Sequence, residues 1–203
     1  AASRAAAFGG VTTFIDFAGG MPGTETGDQS GNSIMNRLDS RRDVFKGHSY
    51  TDFSFHYTLA GEVPAETIGE IGEAIQSGVA SFKIFTTFAS KVGYGHLWAI
   101  FEEVGKQGGI MAVHAEDDDI VKFMENKLKR EGSDQGYNLH LVHNNISEDI
   151  AFRKIVRLAK HTETAIYFVH TTAKEGAWAI AEARSNQQPI YGEALLNYLH
   201  FTS

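Results

Sequence analysis

The segment Ser81-Phe82-Lys83-Ile84-Phe85 places one lysine inside an apolar run that is typical of a buried β-strand. A lysine ammonium loses its hydration in such a strand, so its burial is costly unless it has a partner or a function. Two later strand-like runs, Ile110–Glu116 and Ala165–His170, carry histidines near their carboxyl ends, His114 and His170. A lysine and two histidines at matching positions on three strands predict one metal site rather than three separate buried hydrogen bonds.

The composition predicts one sizeable domain that spans residues 1–203. Of the 203 residues 42% are hydrophobic, and the net charge of −7 argues against a nucleic-acid groove, which needs a basic stripe. The chain has no cysteine, which excludes disulfides and thiolate metal ligands and fits a reducing compartment. We find neither a membrane-spanning run nor a signal peptide, so we expect a cytoplasmic protein that binds neither nucleic acid nor membrane.

Predicted strands and helices alternate along the whole chain. The strands are Val11–Ala18, Thr51–Leu59, Ser81–Phe85, Ile110–Glu116, Ala165–His170 and Pro189–Leu195. The helices are Ser33–Phe45, Ala65–Gln76, Leu97–Val104, Asp117–Arg130, Ile150–Lys160 (with Ser147 as its N-cap) and Lys174–Ser185. This alternation predicts a parallel sheet with right-handed crossovers.

Two parallel architectures compete for this pattern. An open doubly wound sheet usually has a glycine-rich phosphate turn, and no such motif follows any strand here. A TIM-type (β/α)8 barrel carries its chemistry at the carboxyl ends of several strands, which matches Lys83, His114 and His170. We therefore predict an α/β fold of the barrel type. Six strands cannot close such a barrel, so we expect it to be incomplete in this chain, with the first and last strands missing.

Five segments, in the order they take along the chain, resemble the dihydropyrimidinase and hydantoinase family of the amidohydrolase superfamily. Arg4–Phe17 resembles the helix and second barrel strand of that family, and Ser81–Lys83 resembles its fourth strand. Val113–Glu116 and Phe168–Thr171 resemble its fifth and sixth strands, and Tyr191–Glu193 resembles the start of its seventh-strand motif. The resemblance covers essentially the whole chain and identifies it as a central fragment of such a protein.

The resemblance implies a metal-dependent hydrolase that opens a cyclic amide or imide, such as a dihydropyrimidine or hydantoin, with a metal-activated hydroxide. It implies two divalent metal ions, expected to be zinc, bridged by a carboxylated Lys83 and bound by His114 and His170. Carboxylation converts a costly buried ammonium into an anionic ligand with two oxygens, and neutral imidazoles supply further donors.

The sequence also departs from the family pattern. The family takes further ligands from a His-x-His pair on its first strand and an aspartate on its eighth, and this chain contains neither, so we expect partial or absent metal occupancy. The family places an oxyanion-binding tyrosine five residues after the lysine, where this chain has Phe88, which cannot donate a hydrogen bond. Tyr94 is the candidate replacement, and Phe88 and Glu193 are predicted to contact substrate.

Two alternatives remain open: a non-catalytic scaffold of the same fold, and a fragment that is inactive because it is incomplete. Retention of Lys83, His114 and His170 favours an enzyme, whereas Phe88 favours a scaffold or an altered specificity. Unpaired strand edges at both ends of an incomplete barrel predict a homo-oligomer. The other histidines are expected at the surface or in supporting positions: His48, His56, His96, His140, His143, His161 and His200.

Overall fold

The computed structural model describes residues 2–20 and 33–201. Six strands form one sheet in the order of the sequence, and each strand runs parallel to the next. The strands are β1 (Thr13–Gly19), β2 (Asp52–Thr58), β3 (Ser81–Phe85), β4 (Ile110–His114), β5 (Ala165–Phe168) and β6 (Ile190–Gly192). Sequential order with a single direction is the arrangement of consecutive strands in a (β/α)8 barrel.

Helices occupy the connections between the strands. They are α1 (Ala2–Phe8), α2 (Ile34–Phe45), α3 (Ala65–Gly69), α4 (Ile71–Gln76), α5 (Tyr94–Lys106), α6 (Asp118–Arg130), α7 (Leu139–Val142), α8 (Asn145–Thr162) and α9 (Lys174–Ser185). Short 3₁₀ turns lie at Gly136–Asn138 and Leu196–Leu199. None of the helices within the described residues is long and apolar enough to cross a bilayer.

The predicted helix Ala65–Gln76 is in fact two helices that meet at Glu70. The Glu70 carboxylate accepts hydrogen bonds from the Ser33 hydroxyl (2.9 Å) and the Met35 amide (3.1 Å) at the start of α2. A carboxylate at this position satisfies free amides of the helix N-terminus. The break between α3 and α4 thus falls at the residue whose carboxylate contacts α2.

The start of α8 also differs from the prediction. Asn144, rather than Ser147, is the N-cap, and its side-chain oxygen accepts the Ser147 amide at 3.1 Å. Ser147 lies fully buried inside the first turn. Asparagine and serine are both good N-caps, so the sequence pattern does not distinguish between them.

The two faces of β3 separate the core from the predicted site. Phe82 and Ile84 are fully buried and belong to the hydrophobic core, which the sheet shares with the helices that cover it. Lys83 faces the opposite side, because successive strand residues point to opposite faces. On that side Lys83 pairs in register with Thr58 of β2 and Ala112 of β4. Phe85, two residues further along, pairs with His114.

Candidate metal centre

The two predicted histidine ligands meet at the carboxyl ends of β4 and β5. His114 is the last residue of β4, whereas β5 ends at Phe168, so His170 lies two residues beyond its strand rather than within it. The Nδ1 atom of His114 is 2.9 Å from the Nε2 atom of His170. Two ring nitrogens at this distance are arranged to share a proton or to flank a cation.

The backbone at His170 is held in an unusual conformation. Its φ angle of 39° lies in the left-handed region, which non-glycine residues seldom adopt. The predicted substrate-binding residue Glu193 accepts the His170 amide at 3.1 Å through Oε1 and the Tyr167 hydroxyl at 2.9 Å through Oε2. Glu193 therefore anchors the turn that carries the histidine.

Lys83 is buried on the same side of the sheet, with 4% of its surface exposed. Its Nζ atom donates to the Ile84 carbonyl at 2.8 Å and lies 3.5 Å from the centroid of the Phe85 ring. Burial lowers the pKa of Lys83 to about 7. Burial, the charge of His114 and the charge of Lys83 all act to lower the pKa of His170. At neutral pH much of the lysine is thus an uncharged amine, the form that can react with carbon dioxide.

The donor atoms around Lys83 fit a carboxylated lysine and a metal. The Thr58 hydroxyl, on the residue paired with Lys83, is buried and has no hydrogen-bond partner within the described residues. Such an orphaned group is rare, and an added acceptor oxygen would satisfy it. Within residues 2–20 and 33–201, no group of three or more histidine, aspartate and glutamate side chains is arranged to bind a metal. A carboxylated Lys83 would complement the histidine pair.

Glu116, which ends the Val113–Glu116 motif, joins His114 to His143, one of the histidines expected at the surface or in a supporting position. The two oxygens of Glu116 contact different imidazoles: Oε2 is 2.6 Å from His114 Nε2, and Oε1 is 2.8 Å from His143 Nδ1. Although burial acts to raise it, these two hydrogen bonds hold the pKa of Glu116 below its usual value. The spacing of Glu116 two residues after His114 was a usable signal, whereas nothing in the sequence pointed to His143, 27 residues further on.

Phe88 lies where a substrate-contacting residue is expected, in the loop after β3. Its ring centroid is 5.0 Å from that of His114 and 5.9 Å from that of His143, and 44% of its surface is exposed. Asp118 of α6 holds this loop through the Thr87 hydroxyl (3.1 Å) and an ion pair with Lys91. The loop therefore presents Phe88 beside the histidines, and its role in binding substrate stays a prediction.

Tyr94 is placed differently from the other predicted site residues. It is the first residue of α5, and the Nζ atom of Lys154 lies 5.4 Å from its ring centroid. Lys154 in turn bonds Asp117 at 2.6 Å. No hydrogen bond or ring contact joins Tyr94 to His114 or His170 in the described structure. The start of a helix at Tyr94 directs its side chain toward α8 instead.

Glu148 holds the segment that follows His170. From the first turns of α8 its carboxylate accepts the amides of Thr172 (3.0 Å) and Ala173 (2.9 Å), at the start of α9. Ala173 is the N-cap of α9 and offers no side-chain hydrogen bond, so Glu148 takes over this function. A Cβ atom at Gly176 would lie 2.7 Å from Glu148 Oε1, so the glycine makes room for the carboxylate.

Glu148→Gln is expected to remove a pH dependence from the stability of the chain. Burial raises the pKa of Glu148 to about 7 from its ordinary 4.5. The contribution of this acid to stability is therefore complete below pH 4.5 and is lost as the pH rises through about 7. Between pH 4.5 and about 7 the wild type should lose stability and the Gln variant should not. The free energy of unfolding of the Gln variant minus that of the wild type should therefore rise over this pH range and stay constant above it, which urea unfolding at several pH values measures. The exposed control Glu66→Gln should show no such trend, and a constant difference for Glu148→Gln would contradict the assignment.

Comparison with known proteins gives a consistent set of relatives. No family model matches the chain. A D-hydantoinase from Streptomyces coelicolor is 30% identical over 206 residues, which cover 99% of this chain and 42% of that protein. A D-hydantoinase from Geobacillus stearothermophilus is 25% identical over 198 residues, which cover 96% of this chain and 40% of that protein. The chain thus spans about 40% of the length of the curated relatives it matches.

Solved structures agree with the predicted fold. A D-hydantoinase structure superimposes with a TM-score of 0.89 at 25% identity, over 99% of this chain and 42% of that one. A dihydropyrimidinase from Brevibacillus agri gives a TM-score of 0.87 at 22% identity, over 98% of this chain and 42% of that one. The predicted partial (β/α)8 barrel and the predicted family resemblance are both confirmed.

Proposed function

Because the chain is homologous over 99% of its length to hydantoinases and dihydropyrimidinases, we propose that it forms a single barrel domain of a hydrolase that opens cyclic amides. The observation that carries this proposal is the meeting of His114 Nδ1 and His170 Nε2 at 2.9 Å on the side of the sheet that holds Lys83. A metal pair bound there would activate water and polarise the carbonyl of the ring.

The proposed roles follow from the chemistry of each side chain. Lys83 would bridge two divalent ions once carboxylated, and His114 and His170 would each donate a ring nitrogen, a donor that suits zinc. The lowered pKa of His170, caused first by burial, keeps its imidazole neutral and able to donate at neutral pH. Phe88 would pack against the substrate ring, and Glu193 would keep the His170 turn in place.

A second candidate is a non-catalytic homologue of the same fold. It is favoured by the absence of a phenol at position 88 and by the contact of Tyr94 with Lys154 instead of the histidine pair. Without a donor at the oxyanion, about 2.7–4 kcal/mol of transition-state stabilisation is lost in comparable enzymes. Such a homologue could bind metal without turning over a substrate.

The experiment that tests the function is a hydrolysis assay after loading with zinc and bicarbonate. Hydantoin, 5-substituted hydantoins and dihydrouracil are the substrates, and ring-opened carbamoyl acids are detected by chromatography. The 203-residue chain is assayed, and so is any longer protein that contains this sequence. Turnover that persists in His140→Ala, a remote exposed histidine, and disappears in His170→Asn supports the enzyme. Zinc binding without turnover favours the non-catalytic homologue. Absence of both zinc binding and turnover in a longer protein that carries this sequence overturns the metal centre, whereas partial or absent zinc is the expected result for the 203-residue chain.

We also propose that the protein is a cytoplasmic homo-oligomer. Within the described residues β1 and β6 each pair with one neighbouring strand only, and the edge strand β1 exposes Ile15 and Phe17. Free strand edges promote pairing between chains. Light scattering should therefore report a dimer or a larger species, and a clean monomer at high protein concentration would contradict this. Recovery of the protein outside the cytoplasm in cell fractionation would contradict the location.

A further inference from the structure

The Glu116 carboxylate lies between two imidazoles and contacts each of them through a different oxygen. His114 Nε2 is 2.6 Å from Oε2, and His143 Nδ1 is 2.8 Å from Oε1. The backbone of Glu116 is fixed as well, because its amide donates to the Thr86 hydroxyl at 2.9 Å, and that hydroxyl donates to the Glu116 carbonyl at 2.7 Å. The carboxylate therefore has little freedom to turn away from either ring.

This arrangement determines which nitrogen of each ring carries the proton. An ionised carboxylate can only accept hydrogen bonds, so both ring nitrogens that face Glu116 must be N–H groups. In their neutral forms His114 then carries its proton on Nε2 and His143 carries its proton on Nδ1. The Nδ1 atom of His114 is left with a lone pair, and this is the atom that lies 2.9 Å from His170 Nε2.

We propose that Glu116 and His143 act as a positioning pair for His114, in which Glu116 selects the tautomer of His114 and His143 keeps Glu116 in place. The use of this pair for metal binding rests on the proposed function, whereas the tautomers rest on the hydrogen bonds alone. Carboxylates that accept the second N–H of a metal-binding histidine orient the ring and raise its basicity. Here a second imidazole occupies the remaining carboxylate oxygen, so the orientation of His114 depends on a residue that contacts neither His114 nor His170 through a hydrogen bond.

The position of His143 makes it a sensitive member of this pair. Its side chain is 30% exposed, compared with 10% for Glu116, and it lies at the solvent-exposed edge of the site, beside the Phe88 ring. It follows α7, a four-residue helix in the least regular part of the chain. A ligand that displaces the His143 ring would thus alter the orientation of His114, because the Glu116 carboxylate contacts both rings.

Nuclear magnetic resonance of ¹⁵N-labelled histidine rings tests the tautomers directly in the metal-free chain. The wild type should show the Nε2–H form of His114 and the Nδ1–H form of His143, assigned by the signals lost in His114→Asn and His143→Asn. Glu116→Gln has one acceptor oxygen only, so one of the two histidines should switch tautomer. Glu116→Ala should leave His114 as a mixture. The control His140→Ala, which removes a neighbouring histidine that bonds only the Tyr137 carbonyl, should change neither signal.

Zinc affinity provides the second arm of the test. Glu116→Ala should bind zinc about 10–100-fold more weakly than the wild type, as expected for loss of such a supporting carboxylate. The zinc affinity of His143→Ala should lie between that of the wild type and that of Glu116→Ala. An unchanged melting temperature would show that the fold of the variant is intact. If Glu116→Ala does not fold, Glu116→Gln and His143→Ala carry the test.

The two arms separate this inference from the proposed function. A mixed or Nδ1–H form of His114 in the wild type overturns the positioning pair whatever the zinc result. Unchanged tautomers and unchanged zinc affinity in both Glu116 variants overturn it as well. An unaffected His143→Ala removes His143 from the pair. Expected tautomers in a wild-type chain that binds no zinc would support the hydrogen-bond assignment by itself and agree with the absent metal occupancy expected of this chain; the metal centre is then tested in a longer protein that carries this sequence.

Discussion

Replacing Lys83 with methionine is expected to abolish metal binding and, at the same time, to make the chain more resistant to unfolding. Methionine fills a similar volume but cannot be carboxylated, so the proposed bridging ligand is lost. It also removes a buried amine whose hydrogen bond within the described residues is to the Ile84 carbonyl. Elemental analysis after loading with zinc and bicarbonate, together with urea unfolding, measures both effects.

The gain in stability should depend on pH in a defined direction. The pKa of Lys83 falls to about 7 in the folded chain from an ordinary value of 10.5, so folding must either bury a charge or release a proton. The cost is largest below pH 7 and disappears as the pH approaches 10.5. The upper limit of the gain is about 4 kcal/mol near neutral pH, since one pKa unit corresponds to about 1.4 kcal/mol.

A matched control is Lys129→Met, which removes an exposed lysine that pairs with Glu125. It should change stability by no more than about 0.5 kcal/mol and leave metal binding intact. Unfolding is measured in buffer free of carbon dioxide, so that the wild type is not carboxylated. Full zinc stoichiometry in Lys83→Met would refute the assignment of Lys83 as a ligand.

Phe152→Ala is expected to destabilise the chain by about 3–5 kcal/mol, the usual cost of removing a fully enclosed phenylalanine. Phe152 of α8 stacks on Phe168 of β5 with ring centroids 3.8 Å apart, and both rings are buried. Truncation removes this contact and leaves a cavity under the strand that leads to His170. Urea unfolding measures the loss.

Phe123→Ala is the control for this substitution. Phe123 is exposed on α6, so its truncation should change stability by no more than about 0.5 kcal/mol. A loss below about 1 kcal/mol in Phe152→Ala would mean that the surrounding side chains collapse into the space.

The elements that could be predicted from the sequence are those with a strong local pattern. The strand around Lys83 and the helix Lys174–Ser185 have the predicted bounds, because the first is a short apolar run and the second is an alanine-rich segment of high helix propensity. The break at Glu70 was not predicted, and the contact of its carboxylate with the start of α2, 35–37 residues away in sequence, could not be predicted either. Long-range contacts of this kind leave no periodic signal.

Part of the candidate site could be predicted from the sequence, and part of it could not. His114 and His170 end or follow strands, and strand ends meet at one edge of a parallel sheet, so their proximity could be predicted. His143 was expected at the surface or in a supporting position, but its contact with Glu116 could not be predicted, because it lies in an irregular segment 27 residues further along the chain. Tyr94 is the first residue of α5 and lies beside Lys154, and its role at the oxyanion stays a prediction.

The turn that carries His170 is secured largely through main-chain groups, and the Thr172 hydroxyl adds a hydrogen bond to the His170 carbonyl at 3.0 Å. Glu193 binds the amide of His170, and Glu148 binds the amides of Thr172 and Ala173. Amides are present whatever side chain a residue bears, proline excepted. Proline at position 172 or 173 would remove an amide that Glu148 accepts, so a library of variants over this turn should exclude proline and retain both glutamates, the Thr172 hydroxyl, the buried Ala173 and the space at Gly176.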